Sequence, residues 1–170
     1  PASVLSANAP TCDPALWRAR LPMLGICYGM QLMARELAGC VEQGNQREYG
    51  PAEIEVLDPA PLFDGLPSRL DVWMSHGDRV LTVPPGFRVL ARTEHCPIAA
   101  MADADGLRFG LQFHPEVAHT PRGLDILRHF LLTVCGARGD WQMSDFVQES
   151  VRSLRERIGE DHVLCALSGG

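Results

Sequence analysis

Cys27 is the residue best placed to do covalent chemistry. It stands in the middle of segment 25–29, Gly-Ile-Cys-Tyr-Gly, which has the spacing of a nucleophile elbow, a sharp turn between a strand and a helix. Such a turn leaves no room for neighbouring Cβ atoms, and it strains the backbone of the nucleophile. It also places the sulfur at a helix N-terminus, where unpaired N–H groups favour the thiolate. The alternative is a structural cysteine, because cysteine is among the most buried residue types.

A base for this nucleophile is found in segment 110–116, Gly-Leu-Gln-Phe-His-Pro-Glu. Pro115 biases His114 towards extended backbone, and residues two apart in an extended segment face the same way. His114 and Glu116 can therefore approach one site together, as a base and the carboxylate that orients it. The sequence thus predicts a triad of Cys27, His114 and Glu116.

These residues need a strand before the cysteine and a helix after it. Residues 23–26 form an apolar run that predicts a buried strand, and residues 29–38 have helical periodicity that ends at Gly39. A pair typical of tight turns, Asp105-Gly106, predicts a hairpin between the last two of the later strands. Those later strands are predicted at 54–57, 70–74, 87–91, 98–102 and 107–111.

Helical signals lie at both ends of this strand-rich region. Asp13 and Pro14 predict a short helix that ends near residue 19, and residues 122–134 predict a helix with one face on the sheet. Ser144 is predicted to cap a further amphipathic helix, and residues 162–167 are predicted to begin a new α/β domain. We therefore expect an α/β fold with an open, mostly parallel sheet and helices on both faces.

Composition excludes several classes of protein. The chain has 170 residues, 46% of them hydrophobic, and a formal net charge of −6. This is enough to build a core, and the scattered arginines predict no nucleic-acid surface. Six cysteines without a Cys-x-x-Cys pair indicate neither a zinc site nor a disulfide framework, so we expect no metal and a reduced, cytoplasmic compartment. The longest apolar runs are too short to span a membrane.

The two chemical motifs, considered together, resemble the signature motifs of class I glutamine amidotransferases, over about residues 1–135. The resemblance implies that Cys27 attacks the side-chain amide of glutamine, that His114 protonates the departing ammonia, and that water releases glutamate from a glutamyl thioester without a cofactor. It also implies a glutamine pocket formed by Tyr28, Gln31, Ser75, His76, Gly77 and Asp78. His76 and the nearby His95 could equally be ordinary, satisfied histidines.

Further segments are similar to GMP synthetases in particular, namely 47–50, 73–78, 93–100 and Cys135-Gly136 before Trp141. Segment 163–170 resembles the start of their pyrophosphatase loop, in which Ser168, Gly169 and Gly170 would cradle the pyrophosphate of ATP. This similarity implies a parent enzyme that converts XMP to GMP with ATP, Mg²⁺ and glutamine. It also implies a C-terminal synthetase domain as partner and a homodimer.

We therefore expect an internal piece of a longer enzyme. Residues 1–136 would be an N-terminally truncated amidotransferase domain, 137–160 a linker and helix, and 161–170 the start of an ATP pyrophosphatase domain. The family also implies strands and an oxyanion-hole glycine upstream of Pro1. Two alternatives stay open: the glutaminase of an anthranilate, aminodeoxychorismate, carbamoyl phosphate or CTP synthetase, and a non-catalytic module with an interaction or regulatory role.

Overall fold

The computed structural model of the chain describes residues 3–140 and 143–166, without the side chains of 45–47. It divides into two compact units, Pro1–Ala137 and Arg138–Gly170. The first unit contains a six-stranded sheet with helices, and the second contains one helix. Within the described ranges, no helix combines the length and the apolar character needed to cross a bilayer.

The sheet of the first unit is mixed. Its strands lie in the order β1-β6-β5-β4-β2-β3. The pair β1–β6 is parallel, whereas the other four neighbouring pairs of described strands are antiparallel. The strand bounds are Met23–Ile26 (β1), Cys40–Val56 (β2), Arg69–Thr82 (β3), Phe87–Arg92 (β4), Ala100–Asp103 (β5) and Arg108–Leu111 (β6).

The predicted α/β class is confirmed, but the described sheet is not mostly parallel. Parallel neighbours require a long crossover connection, whereas tight turns produce antiparallel neighbours. The Asp105-Gly106 turn is of the second kind: Gly106 has φ +68°, and β5 and β6 form the predicted hairpin. This turn could be predicted from its residue types, but no local signal indicates that antiparallel pairing extends through β4, β2 and β3.

Helices cover both faces of the sheet, as predicted. Alternation along β5 separates the faces, because Met101 packs in one apolar cluster while its neighbours Ala100 and Ala102 pack in another. The helix after β1 contributes Met30 to the first cluster, and the helix after β6 contributes Ile126 to the second. The helices of this unit are Ala15–Arg18 (α1), Tyr28–Glu36 (α2), Ala60–Phe63 (α3) and Gly123–His129 (α4), which continues as a π-helical segment, Phe130–Val134.

Two of the predicted strands are much longer than expected. The predicted run 54–57 is only the end of β2, and 70–74 is only the beginning of β3. These two strands pair along most of their length, with a register irregularity between Gln43 and Glu48. Glycine, proline and polar residues are depleted in strands, so residues 40–51 carry little strand signal of their own. Pairing with β3 therefore stabilises a strand conformation that the local sequence does not favour.

The second unit contains helix α5, Met143–Ile158. The predicted apolar stripe lies on this helix, although none of the helix's residues is buried in the described chain. Ser144 is not its cap, because the helix begins at Met143 and the Ser144 hydroxyl contacts Asp145 within the first turn. Residues 162–166 do not form the predicted strand, since no neighbouring described strand pairs with them. The prediction for 167–170 lies outside the described residues.

The turn between β1 and α2 has the strained backbone that the sequence predicts. Cys27 has φ +50° and ψ −105°, a conformation that L-residues rarely adopt. A Cβ on Gly25 would lie 2.7 Å from the carbonyl carbon of Gly29, so glycine is required at position 25. A Cβ on Gly29 would meet nothing within 4 Å. The expectation that both glycines are sterically required is therefore wrong for Gly29.

We predict that Gly25→Ala destabilises the fold by about 1–3 kcal/mol, because its methyl group would overlap rigid backbone. Gly29→Ala is the matched control, and helix propensity would make it neutral or stabilising by up to about 1 kcal/mol. Thermal unfolding of the full-length protein measures both. Equal losses from the two substitutions would contradict the steric argument.

Candidate functional site

Cys27 lies at the carboxyl end of the parallel strand pair. Its backbone N–H donates to the carbonyl of Leu111 at 2.7 Å, which extends the register of β1 on β6. Residues that follow β1 and β6 therefore leave the sheet at the same edge. Gln112 is the first residue past β6, and its amide nitrogen lies 3.8 Å from the sulfur of Cys27.

The predicted base and carboxylate are in direct contact. The distance from His114 Nδ1 to Glu116 Oε1 is 2.6 Å. A carboxylate accepts hydrogen bonds, so this contact assigns the hydrogen to Nδ1 and leaves Nε2 of the neutral ring as an acceptor. The arrangement is that of a base held in one tautomer by its orienting group.

Thr120 fixes the loop that carries His114, a role that its sequence context does not indicate. Its buried hydroxyl donates to the His114 carbonyl at 2.6 Å and accepts the N–H of Trp73, in β3, at 3.1 Å. The His114 N–H in turn donates to the Trp73 carbonyl at 3.0 Å. Two of these hydrogen bonds thus hold the loop on one residue of β3, and the third ties Thr120 to His114 within the loop. The ring of His119 also stacks on that of Trp73, with centroids 4.5 Å apart.

The electrostatics of Cys27 differ from the expectation of a stabilised thiolate. Burial raises the pKa of the Cys27 thiol above its usual value, while the N–H of Tyr28 lowers it; the Glu116 carboxylate raises it, and the Gln112 amide lowers it. The net shift is upward, because loss of hydration outweighs the contacts that favour the anion. The Cys27 thiol donates to the Ser75 carbonyl, with 3.6 Å between sulfur and oxygen.

A cavity of about 360 Å³ opens beside Cys27. All six predicted substrate-binding residues line it, whereas His114 and Glu116 do not. Its size is at the lower end of the range for small-molecule sites, which suits an amino acid. The lining consists of Ser3, Pro10, Cys27, Tyr28, Gln31, Gln43, Tyr49, Ser75, His76, Gly77 and Asp78.

Internal hydrogen bonds hold the polar wall of this cavity. Gln31 is buried, and its amide nitrogen donates to the Asp78 carbonyl at 2.7 Å and to Gln112 Oε1 at 3.2 Å. The Asp78 carboxylate accepts the hydroxyl of Ser3, and the Tyr28 hydroxyl donates to the Pro10 carbonyl. Gln31 thus supports the wall with its nitrogen. Direct contact of its side chain with substrate stays a prediction.

Both ring nitrogens of His76 also have protein partners. Nδ1 lies 3.0 Å from the Asp78 carbonyl and Nε2 lies 3.1 Å from Glu48 Oε2. Cys96 is close by, so that Glu48, His76 and Cys96 offer metal-ligating atoms within 4.8 Å of one another. Cysteine spacing could not indicate this cluster, because its members come from three separate segments. Partners within the protein satisfy all three groups.

The other candidate residues lie elsewhere. His95 is exposed and lines a separate polar groove of about 770 Å³ that does not include Cys27, and its carbonyl accepts a hydrogen bond from Arg79. Ser168, Gly169 and Gly170, predicted to bind ATP, lie outside the described residues. Gln112 belongs to the motif of His114 but was not predicted as a site residue, although it lies two residues before His114 and so on the same face of an extended segment.

Comparison with known families identifies the fold and its motifs. The profile of the family described as glutamine amidotransferase class-I matches residues 1–134. The chain belongs to the class I glutamine amidotransferase family. Among solved structures, the chain is similar to a protein of Thermoplasma acidophilum described as a proposed GMP synthase subunit. The TM-score is 0.68 and the identity 29%, over 83% of this chain and 64% of the other.

Curated relatives have a higher sequence identity to this chain than the solved structure has. A GMP synthase (glutamine-hydrolysing) of Thermomicrobium roseum is 56% identical over 170 residues, which are all of this chain and 32% of the relative. The corresponding protein of Geobacillus kaustophilus is 55% identical over the whole chain and 33% of its own length. The chain therefore spans about a third of the length of these relatives.

We predict that alkylation of Cys27 by iodoacetamide rises with pH and reaches half its maximal rate at a higher pH than alkylation of free N-acetylcysteine. A raised thiol pKa leaves less thiolate at any given pH, and only the thiolate reacts. Mass spectrometry of the Cys27 peptide and of N-acetylcysteine added to the same sample measures both rates. Saturation of Cys27 at a lower pH than the free thiol would show that the turn stabilises a thiolate after all.

We predict that Thr120→Val lowers the free energy of unfolding by about 1–3 kcal/mol, because it removes the buried hydroxyl that accepts the half-buried Trp73 N–H and donates to the His114 carbonyl. Glutamine-dependent activity should fall by roughly tenfold as the His114 loop loosens. Thr120→Ser keeps the hydroxyl and should preserve most of that activity. Thermal unfolding and glutamate release by the full-length protein test the pair, and equal defects in the two variants would refute a role for the hydroxyl.

Proposed function

We propose that this chain hydrolyses glutamine to glutamate and ammonia through Cys27, His114 and Glu116. The observations that support the proposal are a strained cysteine beside a cavity at the end of β1 and a histidine held by a carboxylate just after β6, the parallel neighbour of β1. Membership of the amidotransferase family supports the same chemistry.

The first half-reaction forms a thioester. The Cys27 sulfur attacks the side-chain amide carbon of glutamine while His114 Nε2 takes the thiol proton, which is needed because burial keeps this group protonated. The backbone N–H of Tyr28, the residue directly after Cys27, would stabilise the developing oxyanion. As the intermediate collapses, His114 gives its proton to the amide nitrogen, the C–N bond breaks and ammonia leaves.

The second half-reaction regenerates the cysteine. His114 Nε2 takes a proton from water as its oxygen attacks the thioester carbon, and the C–S bond breaks. The proton returns to the sulfur and glutamate leaves. Throughout, Glu116 accepts the hydrogen bond of Nδ1, which holds the ring in one tautomer and stabilises its protonated form.

The ammonia would serve ATP-dependent amination of XMP to GMP. This assignment is supported by the identity of 55–56% to curated GMP synthases over the whole chain. Synthesis would take place on a C-terminal synthetase domain of the longer parent enzyme. The same proposal has further parts, which rest on the resemblance to GMP synthetases. Residues 161–170 would begin that domain, and residues 137–160 would be its linker. Mg²⁺ would be a cofactor, and the parent enzyme would be a cytoplasmic homodimer.

The test is Cys27→Ala in the full-length protein. Glutamine-dependent synthesis of GMP should fall by at least about 10³-fold, because the nucleophile is lost. Ammonia-dependent synthesis should stay within about twofold, since no step of nucleotide activation uses this sulfur. Cys40→Ala, which removes an exposed cysteine, is the matched control. Equal loss of both activities in Cys27→Ala would refute the assignment.

A further inference from the structure

His76 faces hydrogen-bond acceptors with both of its ring nitrogens. The Asp78 carbonyl, 3.0 Å from Nδ1, can only accept, so Nδ1 must carry a hydrogen. A neutral imidazole has just one N–H, which this bond uses. Whether Nε2 also carries a hydrogen depends on its partner, Glu48 Oε2, at 3.1 Å.

Glu48 is an ionised partner. Its other oxygen, Oε1, accepts the hydroxyl of Thr93 at 2.9 Å. Burial raises the pKa of this carboxyl, but hydrogen bonds from His76 and Thr93 outweigh burial, so that the pKa of Glu48 is lowered overall. A carboxylate only accepts, so Nε2 must donate as well. The 3.1 Å contact between Nε2 and Oε2 therefore shares one hydrogen, in addition to the hydrogen that Nδ1 donates to the Asp78 carbonyl.

The groups around the pair do not take this proton. Cys96 donates its S–H to the Ile98 carbonyl at 3.3 Å, and burial together with the Glu48 charge raises the pKa of its thiol to about 12. Arg79 is paired with Glu42. The remaining charged or titratable neighbours are the Asp78 carboxylate, which accepts the Ser3 hydroxyl, and the exposed His95.

A chain of hydrogen bonds joins this pair to the nucleophile. The Asp78 carbonyl that accepts from His76 also accepts from Gln31 at 2.7 Å, and Gln31 contacts Gln112 Oε1 at 3.2 Å. The nitrogen of Gln112 then lies 3.8 Å from the Cys27 sulfur. His76, Gln31 and Asp78 are all buried, so a lost partner at one link cannot be replaced freely by water.

We propose that Glu48 and His76 form a proton-sharing positioning pair that holds the Asp78 carbonyl and, through Gln31 and Gln112, the Cys27 sulfur in their working places. The proposal deepens the glutamine hydrolysis proposed above and rests on it. Neither side chain touches the reacting atoms. They act through the backbone of the cavity wall.

Two substitutions of Glu48 separate geometry from charge. Glu48→Gln can keep every contact with a neutral ring, because its amide nitrogen would donate to Nε2 and its oxygen would accept from Thr93. Glu48→Leu removes both contacts and leaves Nε2 buried without a partner. Glu53→Leu is the control, since it removes an exposed carboxylate from the same strand.

The measurement is kcat/KM for glutamine in the full-length protein, across and above the pH range in which histidine titrates. At neutral pH, Glu48→Leu should lose roughly tenfold or more and Glu48→Gln less than about threefold. As the pH rises, wild type loses the shared proton and one of its two ring contacts. Activity of Glu48→Gln relative to wild type should therefore increase with pH, while Glu53→Leu follows the wild type.

Three results would overturn the proposal: wild-type activity in Glu48→Leu, a Glu48→Gln variant as impaired as Glu48→Leu, or identical pH profiles of wild type and Glu48→Gln. If Glu48→Leu does not fold, the comparison of wild type with Glu48→Gln decides alone. Cys27→Ala is measured alongside. If it retains glutamine hydrolysis, the proposed function fails; if it loses hydrolysis while the Glu48 profiles coincide, only the positioning pair fails.

Discussion

The whole site depends on the edge of β3 meeting the carboxyl ends of β1 and β6. An edge strand carries backbone groups that no neighbouring strand pairs, and here those groups hold functional side chains. Ser75 offers its carbonyl to the Cys27 thiol, and Trp73 uses its N–H and its carbonyl to clamp the loop of His114. The Asp78 carbonyl supports the cavity wall. Backbone positions are fixed by the sheet, so they place these side chains more firmly than flexible partners would.

Burial at this meeting point has opposite effects on two kinds of group. For Cys27 burial disfavours the anion, so the proposed attack would depend on a neighbouring base rather than on a thiolate formed beforehand. For the amides and the imidazole behind the cavity, burial excludes competing water and makes each hydrogen bond worth more, provided that every group is satisfied. The same desolvation thus disfavours the thiolate of Cys27 and strengthens the hydrogen bonds behind the cavity.

Local chemistry could be predicted from the sequence, whereas long-range convergence could not. The Cys27 turn and the contact of His114 with Glu116 follow from spacing and from one proline, which act within a few residues. The approach of Glu48 to His76 depends on the pairing of β2 with β3, and the polar start of β2 gives no local signal for that pairing. The role of Thr120 likewise depends on a long-range contact between its loop and β3, for which the local sequence gives no signal.

The backbone of Cys27 has a consequence for evolution. A residue other than glycine with φ +50° and ψ −105° costs of order 1–3 kcal/mol, and glycine would relieve most of that strain. A chain with glycine at position 27 should therefore be more stable than the natural one, and it would lack the nucleophile of the proposed hydrolysis. Selection for folding alone would favour that glycine, so under this proposal cysteine persists at position 27 only while turnover is under selection. Thermostability screens that do not score activity would be expected to recover this glycine.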